Sequence, residues 1–141
     1  MPERLYTTPL LDKLGVRPGM RVAIVGHVDP VVVASLAERT DDVTMGAPLA
    51  QTDVILLAAD TLDALAVLPS LRAYIRQAGA IWVVSRKGTA ATIRDVDVIA
   101  AARDADLVDN KVASFSDTHT SLRLVIPTAM RTDDGPGPRG R

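Results

Sequence analysis

A chain of 141 residues and 15.0 kDa has room for one domain, and at this size a fold buries roughly 68% of its unfolded surface, enough for a core without staples. Apolar residues at 48% and charged residues at 23% exclude a wholly disordered chain, a net charge of −1 argues against nucleic acid held by bulk charge, and the lack of cysteine excludes disulfides, thiolate metal sites and cysteine nucleophiles. No apolar run approaches the about 20 residues of a membrane helix, and Met1-Pro2-Glu3-Arg4 lacks the basic-then-apolar layout of a secretory leader; a cytoplasmic protein with no membrane and no nucleic-acid partner is expected.

Thr7-Thr8-Pro9 opens a first helix, with a threonine as N-cap and proline in the first turn. Leu10, Leu11 and Leu14 give it one apolar face, and Gly15 stops it. After the turn Arg17-Pro18-Gly19, the β-branched run Met20–Gly26 predicts a central strand, apolar on both faces. Pro30 starts a helix to about Arg39, packed through Val31, Val32, Ala34, Ser35 and Leu36. Val43-Thr44-Met45 is a short second strand broken by Gly46 and Pro48, and Asp53–Ala58 a buried third. Asp60 reads as an N-cap. Leu62, Leu65, Leu68, Leu71, Tyr74 and Ile75 follow helical spacing as far as Gly79, with Pro69 imposing a kink or two helices end to end.

Ala80–Val84 is the next strand, followed by the polar loop Ser85–Thr89 and a helix over about Asp95 to Arg103 with Val96, Ile99 and Ala100 inward. Lys111–Ser116 and Leu122–Ile126 alternate apolar and polar residues and pair as an antiparallel hairpin around Asp117–Thr120. Residues 1–130 thus read as one α/β domain, and the Gly-, Pro- and Arg-rich residues 131–141 as a flexible tail. Strands alternating with helices imply three layers: a mostly parallel sheet of about six strands between helices, in the order 2-1-3-4-6-5, closed by the antiparallel hairpin.

Residues 14–26, Leu-Gly-Val-Arg-Pro-Gly-Met-Arg-Val-Ala-Ile-Val-Gly, look like the approach to the first strand of class I methyltransferase-like Rossmann domains. The helix before that strand and the hairpin after the last helix fit the same architecture, with one βα unit missing between Met45 and Asp53. Leu107-Val108-Asp109-Asn110-Lys111-Val112, then Asp117-Thr118-His119 and Leu122, resemble the signature of a small bacterial family known only as a domain of unknown function (number 3052). Thr8-Pro9-Leu10, Leu14-Gly15, Pro18-Gly19, Trp82 and Lys87 belong to the same pattern, which spans about residues 7–127. Two departures mark this chain: Ser85-Arg86-Lys87 stands where the family pattern has Trp-Pro-Lys, and His119 where it has tryptophan. The resemblance implies a Rossmann-like fold and brings no activity with it.

In doubly wound sheets, ligands sit at the carboxyl ends of the strands, where strand order reverses. Here that places Gly26-His27-Val28-Asp29-Pro30 first among candidate sites: Gly26 permits close backbone approach and the following helix N-terminus favours an anion. Against this, the loop has one glycine rather than G-x-G-x-x-G, Val28 and Val31 are bulky, Pro30 lacks an N–H, and Asp29 repels phosphate. Methyltransferase resemblance implies an acidic residue at the end of strand two for the ribose of S-adenosylmethionine; Val43-Thr44-Met45-Gly46 has none. A plain turn at Gly26 with Asp29 as N-cap is the favoured alternative.

His27 has the chemistry of a general base. Its only fellow histidine is His119, and a metal site would need Asp29 or Asp60 as a third ligand, so no metal is assigned. Arg86, Lys87, Arg94 and Lys111 form a second anion-binding candidate, with Arg86 and Lys87 at the same sheet end as Gly26; the bland alternative is a solvated basic loop. No serine lies in a G-x-S-x-G elbow. Trp82 and Phe115 read as core. No catalytic residue is assigned; Gly26, His27, Asp29, Arg86 and Lys87 are the candidate ligand site, its cofactor left open.

Three functions from different classes remain, of which the sequence favours the first, keeps the second as the alternative and places the third last. The first is a non-catalytic, degenerate Rossmann-like module acting through self-association, such as a homodimer, or through a protein partner. The second is a binder of a nucleotide or other anionic small molecule at the carboxyl end of the sheet. The third is a methyltransferase-like enzyme.

Overall fold

The computed structural model describes residues 10–131. A helix over residues 10–14 (α1) leads into β1 (Val22–Val25) and α2 (Pro30–Arg39). β2 (Val43–Met45), β3 (Thr52–Ala58), the short helices α3 (Leu62–Leu65) and α4 (Leu68–Arg72), and β4 (Ile75–Arg86) follow. α5 (Asp95–Asp104), β5 (Val108–Ser114) and β6 (His119–Val125) complete the domain. The strands form one six-stranded sheet in the order β2-β1-β3-β4-β6-β5, as the sequence predicts. β1 to β4 run parallel, and β6 lies antiparallel to both β4 and β5.

Period-two alternation assigns each strand residue to one of two cores. Val22, Ile24, Val54, Leu56, Trp82 and Val84 face one side, where α1 brings Leu10, Leu11 and Leu14 and α2 brings Val32 and Leu36. Ala23, Ile55, Leu57, Ile81, Val83 and Leu122 face the other, under α3, α4 and α5. At the amino ends of the parallel strands, Arg21 ties the layers together: its Nε donates to Asp42 at 3.0 Å and its Nη1 to the carbonyl of Ala50 at 2.6 Å. The Asp53 carboxylate accepts from the Arg21 main-chain N–H at 2.9 Å and from Arg76 at 3.2 Å. Burial together with the nearby charge of Arg131 lowers the pKa of the Arg123 guanidinium on β6.

Several local expectations are corrected. The helical spacing through Tyr74 and Ile75 does not continue: the helix ends at Arg72, and β4 starts at Ile75 and runs for 12 residues. The Tyr74 carbonyl accepts from the Thr52 N–H at 2.9 Å, joining the segment to β3. Gly79 is a strand residue, not the end of a helix; a Cβ there would lie 2.9 Å from the Asp53 carbonyl oxygen and 3.0 Å from that of Thr52. Pro69 does split the helical stretch in two. The cap of α3 is Thr61, whose hydroxyl accepts from the Ala64 N–H, and not Asp60. On α5 the buried residues are Val98 and Ala102, with Ile99 packed partly against the core as predicted, while Val96, 66% exposed, and Ala100 turn outward, because the helix is rotated relative to the predicted face. On α2 the buried residues are Val32 and Leu36; Val31, Ala34 and Ser35 turn outward or lie at the margin. The predicted first-helix cap and nearly all of the predicted tail lie outside the described residues.

Candidate functional site

The carboxyl ends of β1, β3, β4 and β5 share one edge of the sheet, and two turns rise from it. The first, Gly26–Asp29, joins β1 to α2. Gly26 has φ +91°, and an added Cβ would meet the Ala58 carbonyl oxygen at 3.0 Å, so its missing side chain lets β1 turn directly against β3. Val28 is buried beneath α2. Asp29 caps the helix through its side chain, which accepts the Val31 N–H at 2.9 Å, and its own carbonyl accepts from Val32 and Val33. Pro30 has no N–H, so every donor in the first turn of α2 is absent or spent. The anion cradle expected at this helix N-terminus is therefore not available.

The second turn joins β5 to β6. The His119 carbonyl accepts from the N–H groups of Phe115 and Ser116, and the Thr118 carbonyl accepts from Lys87 at 3.0 Å. The Ser116 hydroxyl oxygen accepts from the N–H groups of Thr118 at 3.3 Å and His119 at 3.1 Å. Thr118 Oγ1 lies 3.3 Å from Ser116 Oγ and 2.8 Å from His119 Nδ1. Polar side chains thus lock this turn from within.

Between the turns lies a hollow of about 330 Å³ on the α1 and α2 side of the sheet. Its apolar surface comes from Val28, Pro30, Val84 and Phe115, and its polar rim from His27, Asp29, Ser116, Thr118 and His119. The fold therefore brings the two histidines, far apart in sequence, to one cavity. Of the predicted site residues, His27 and Asp29 line it, while Gly26 shapes the turn beneath. Arg86 and Lys87 sit at the same sheet end but do not line the hollow. The Arg86 N–H donates to Asp60 at 2.9 Å, its guanidinium lies 3.9 Å from the same carboxylate, and Lys87 Nζ donates to Ser114 Oγ at 2.9 Å. Ser116 and Thr118 are not among the predicted site residues: the sequence marks Thr118 only within the Asp117-Thr118-His119 signature and Ser116 only as a serine outside any nucleophile elbow. Among the described residues no group of three or more His, Asp or Glu side chains is arranged to hold a metal ion.

Three solved structures show where this architecture is found. The chain resembles a SAM-dependent methyltransferase from Aquifex aeolicus with TM-score 0.68 and 14% identity over 85% of this chain and 89% of that one. It resembles magnesium protoporphyrin IX methyltransferase from Synechocystis PCC 6803, solved with bound SAM, with TM-score 0.60 and 12% identity over 88% and 77% of the two chains. Precorrin 8w decarboxylase from Methanobacterium thermoautotrophicum gives TM-score 0.59 and 12% identity over 85% and 88%. The scaffold is methyltransferase-like and Rossmann-like, and likeness at this identity establishes the fold alone. No protein-family model matches the chain, and no curated protein sequence matches it either.

The donor set does not fit S-adenosylmethionine. β2 ends in Met45, 61% exposed, and Gly46, with no carboxylate for a ribose diol. Asp42 is at the opposite end of β2, paired with Arg21. Asp60, after β3, accepts the Arg86 N–H, and Asp29 lies on the β1–α2 turn rather than at the end of β2. The first turn of α2 has no spare amide for a carboxylate or phosphate.

Proposed function

We propose that the chain is a small-molecule-binding module built on a methyltransferase-like scaffold, taking a compact ligand in the hollow between the β1–α2 and β5–β6 turns and transferring no methyl group. One observation carries the reading: polar side chains from two distant segments converge over an apolar floor, the composition typical of ligand sites. The expected contacts of Arg86 and Lys87 with an anionic ligand give way in this reading to His27, Asp29 and His119, because neither basic residue lines the hollow. The bacterial family with the Leu107–Val112 and Asp117–His119 signature belongs to the same reading on those motifs, as does a cytoplasmic location; among the described residues no helix is long and apolar enough to cross a membrane.

Native mass spectrometry of the purified chain tests it. The expected result is an adduct that disappears on denaturation and is missing from the His27→Ala/His119→Ala double variant. An adduct retained by that variant removes the hollow from the reading.

A second reading, association with another protein, draws on Leu62 and Val96, which are 64% and 66% exposed beside a shallow groove lined by Leu65, Ala66, Pro69 and Ala100. The open edge of β5 supports it less well, since the ladder to β6 is irregular between Asp109 and Lys111 and a lysine stands beside the gap. Light scattering of wild type and Leu62→Asp/Val96→Asp decides: a monomer in both ends the self-association form.

A further inference from the structure

We infer that the hollow selects a neutral, planar heterocycle with a lactam edge, a ring carbonyl beside a ring N–H. This rests on the binding reading above and names its ligand class. The starting point is the direction of the hydrogen bonds in the β5–β6 turn. A hydroxyl has one hydrogen and two lone pairs. Both lone pairs of Ser116 Oγ are used by the N–H groups of Thr118 and His119, so its hydrogen is the one that points to Thr118 Oγ1, 3.3 Å away. Thr118 then donates its own hydrogen to His119 Nδ1, at 2.8 Å. In the neutral imidazole this leaves the proton on Nε2, so that His119, which lines the hollow, counts there as a donor with its tautomer set by the chain of hydroxyls.

The remaining lining defines the complement. A donor at His119 needs an acceptor such as a carbonyl oxygen. The Asp29 carboxylate spends one interaction on the Val31 N–H, and a carboxylate has further acceptor sites, which need a donor such as a ring N–H. Val28, Pro30, Val84 and Phe115 offer apolar surface for the faces of a ring. No lysine or arginine lines the hollow and a carboxylate does, which disfavours an anion. About 330 Å³ lies at the small end of ligand cavities, matching one ring better than a dinucleotide.

The test uses the full chain, ¹⁵N-labelled, titrated separately with uracil, a neutral lactam ring, and benzoate, an anionic ring of similar size. Uracil is expected to shift the amide signals of Val28, Phe115, Thr118 and His119 and to bind about tenfold tighter than benzoate, the difference expected from one unmatched polar contact. Thr118→Val, which leaves the turn's backbone bonds in place, is expected to weaken uracil several-fold and benzoate little. Benzoate binding as well as or better than uracil in the hollow overturns the ligand class and leaves the hollow standing as a site. Neither probe shifting those four signals overturns the ligand class and counts against the hollow itself. A long-range ¹⁵N spectrum showing the His119 proton on Nδ1 overturns the donor assignment directly.

Discussion

The indole Nε1 of Trp82, at the centre of β4, donates a 3.0 Å hydrogen bond to the main-chain carbonyl of Leu14 at the end of α1. Trp82 is fully buried and is the only tryptophan in the chain. The bond satisfies a carbonyl at a helix end that has no partner inside the helix, and so fixes where α1 lies on the sheet. Trp82→Phe leaves that carbonyl unpaired in a buried place and is expected to cost about 2–3 kcal/mol. Urea unfolding followed by circular dichroism measures it; a cost below about 0.5 kcal/mol means the bond has no structural weight.

Gly79 offers a sharper contrast. Its missing side chain faces three main-chain carbonyls, from Thr52, Asp53 and Arg76, none able to move without disturbing a strand. Gly46, also outside a helix, has φ +88° but open space around it. Gly79→Ala is expected to destabilise by about 2–4 kcal/mol through steric overlap, and Gly46→Ala by about 1 kcal/mol through backbone strain alone. Equal midpoints for the two variants in the same denaturation series would contradict the close contact at Gly79.

Asp29 has two tasks that substitution separates. Asp29→Ala removes the cap of α2 and is expected to lower stability by about 1 kcal/mol. Asp29→Asn keeps the cap and removes the charge that lines the hollow, so stability should hold within a few tenths of a kcal/mol. Thermal melts of the pair check the cap, and any ligand found by mass spectrometry checks the charge.

S-adenosylmethionine is expected to leave the melting temperature unchanged at millimolar concentration. A ligand at about 100 times its dissociation constant adds about 2.7 kcal/mol to stability, so a functioning cofactor site would give a clear upward shift. Such a shift would falsify the reading that Met45, Gly46 and the spent amides of α2 leave no place for it.

Arg86→Ala/Lys87→Ala is expected to change stability by less than about 1 kcal/mol, since Arg86 makes only an exposed, 3.9 Å ion pair with Asp60. Uracil titration of this double variant should match wild type. A loss of binding comparable with that of Thr118→Val would return the two basic residues to the site.

Much of the architecture is written in the chain's periodicity. Buried strands such as Val54–Leu57 are apolar on both faces, and the breaks at Gly15, Pro30 and Pro69 fall where the elements change. Strand order follows from helices alternating with strands and from one closing hairpin. The error at Tyr74–Gly79 has a physical source: leucines spaced for a helix run without a break into a strand, and only the tertiary pairing of Tyr74 with Thr52 decides between them. The site was half legible. His27 and Asp29 follow β1 and were marked by the place where strand order reverses, and Asp29 proved to be the N-cap as well. The hairpin's contribution was hidden because no local pattern says that its turn stands beside α2. Arg86 and Lys87 stand at the sheet end where the sequence puts them, but that they stay off the lining of the hollow depends on tertiary contacts such as Lys87 Nζ to Ser114 Oγ, which are invisible in sequence.

The last strand made is not the last in the sheet. β6 lies between β4 and β5, so each waits for residues 119–125 before its ladder closes. During synthesis β4 emerges with one flank bare and keeps it so until the end of the domain leaves the ribosome. A chain cut just ahead of β6 would lose its innermost antiparallel pairing rather than a fringe, together with His119, Leu122 and Leu124. Premature termination near this end of the message is therefore far more damaging than its distance from the centre of the sequence suggests.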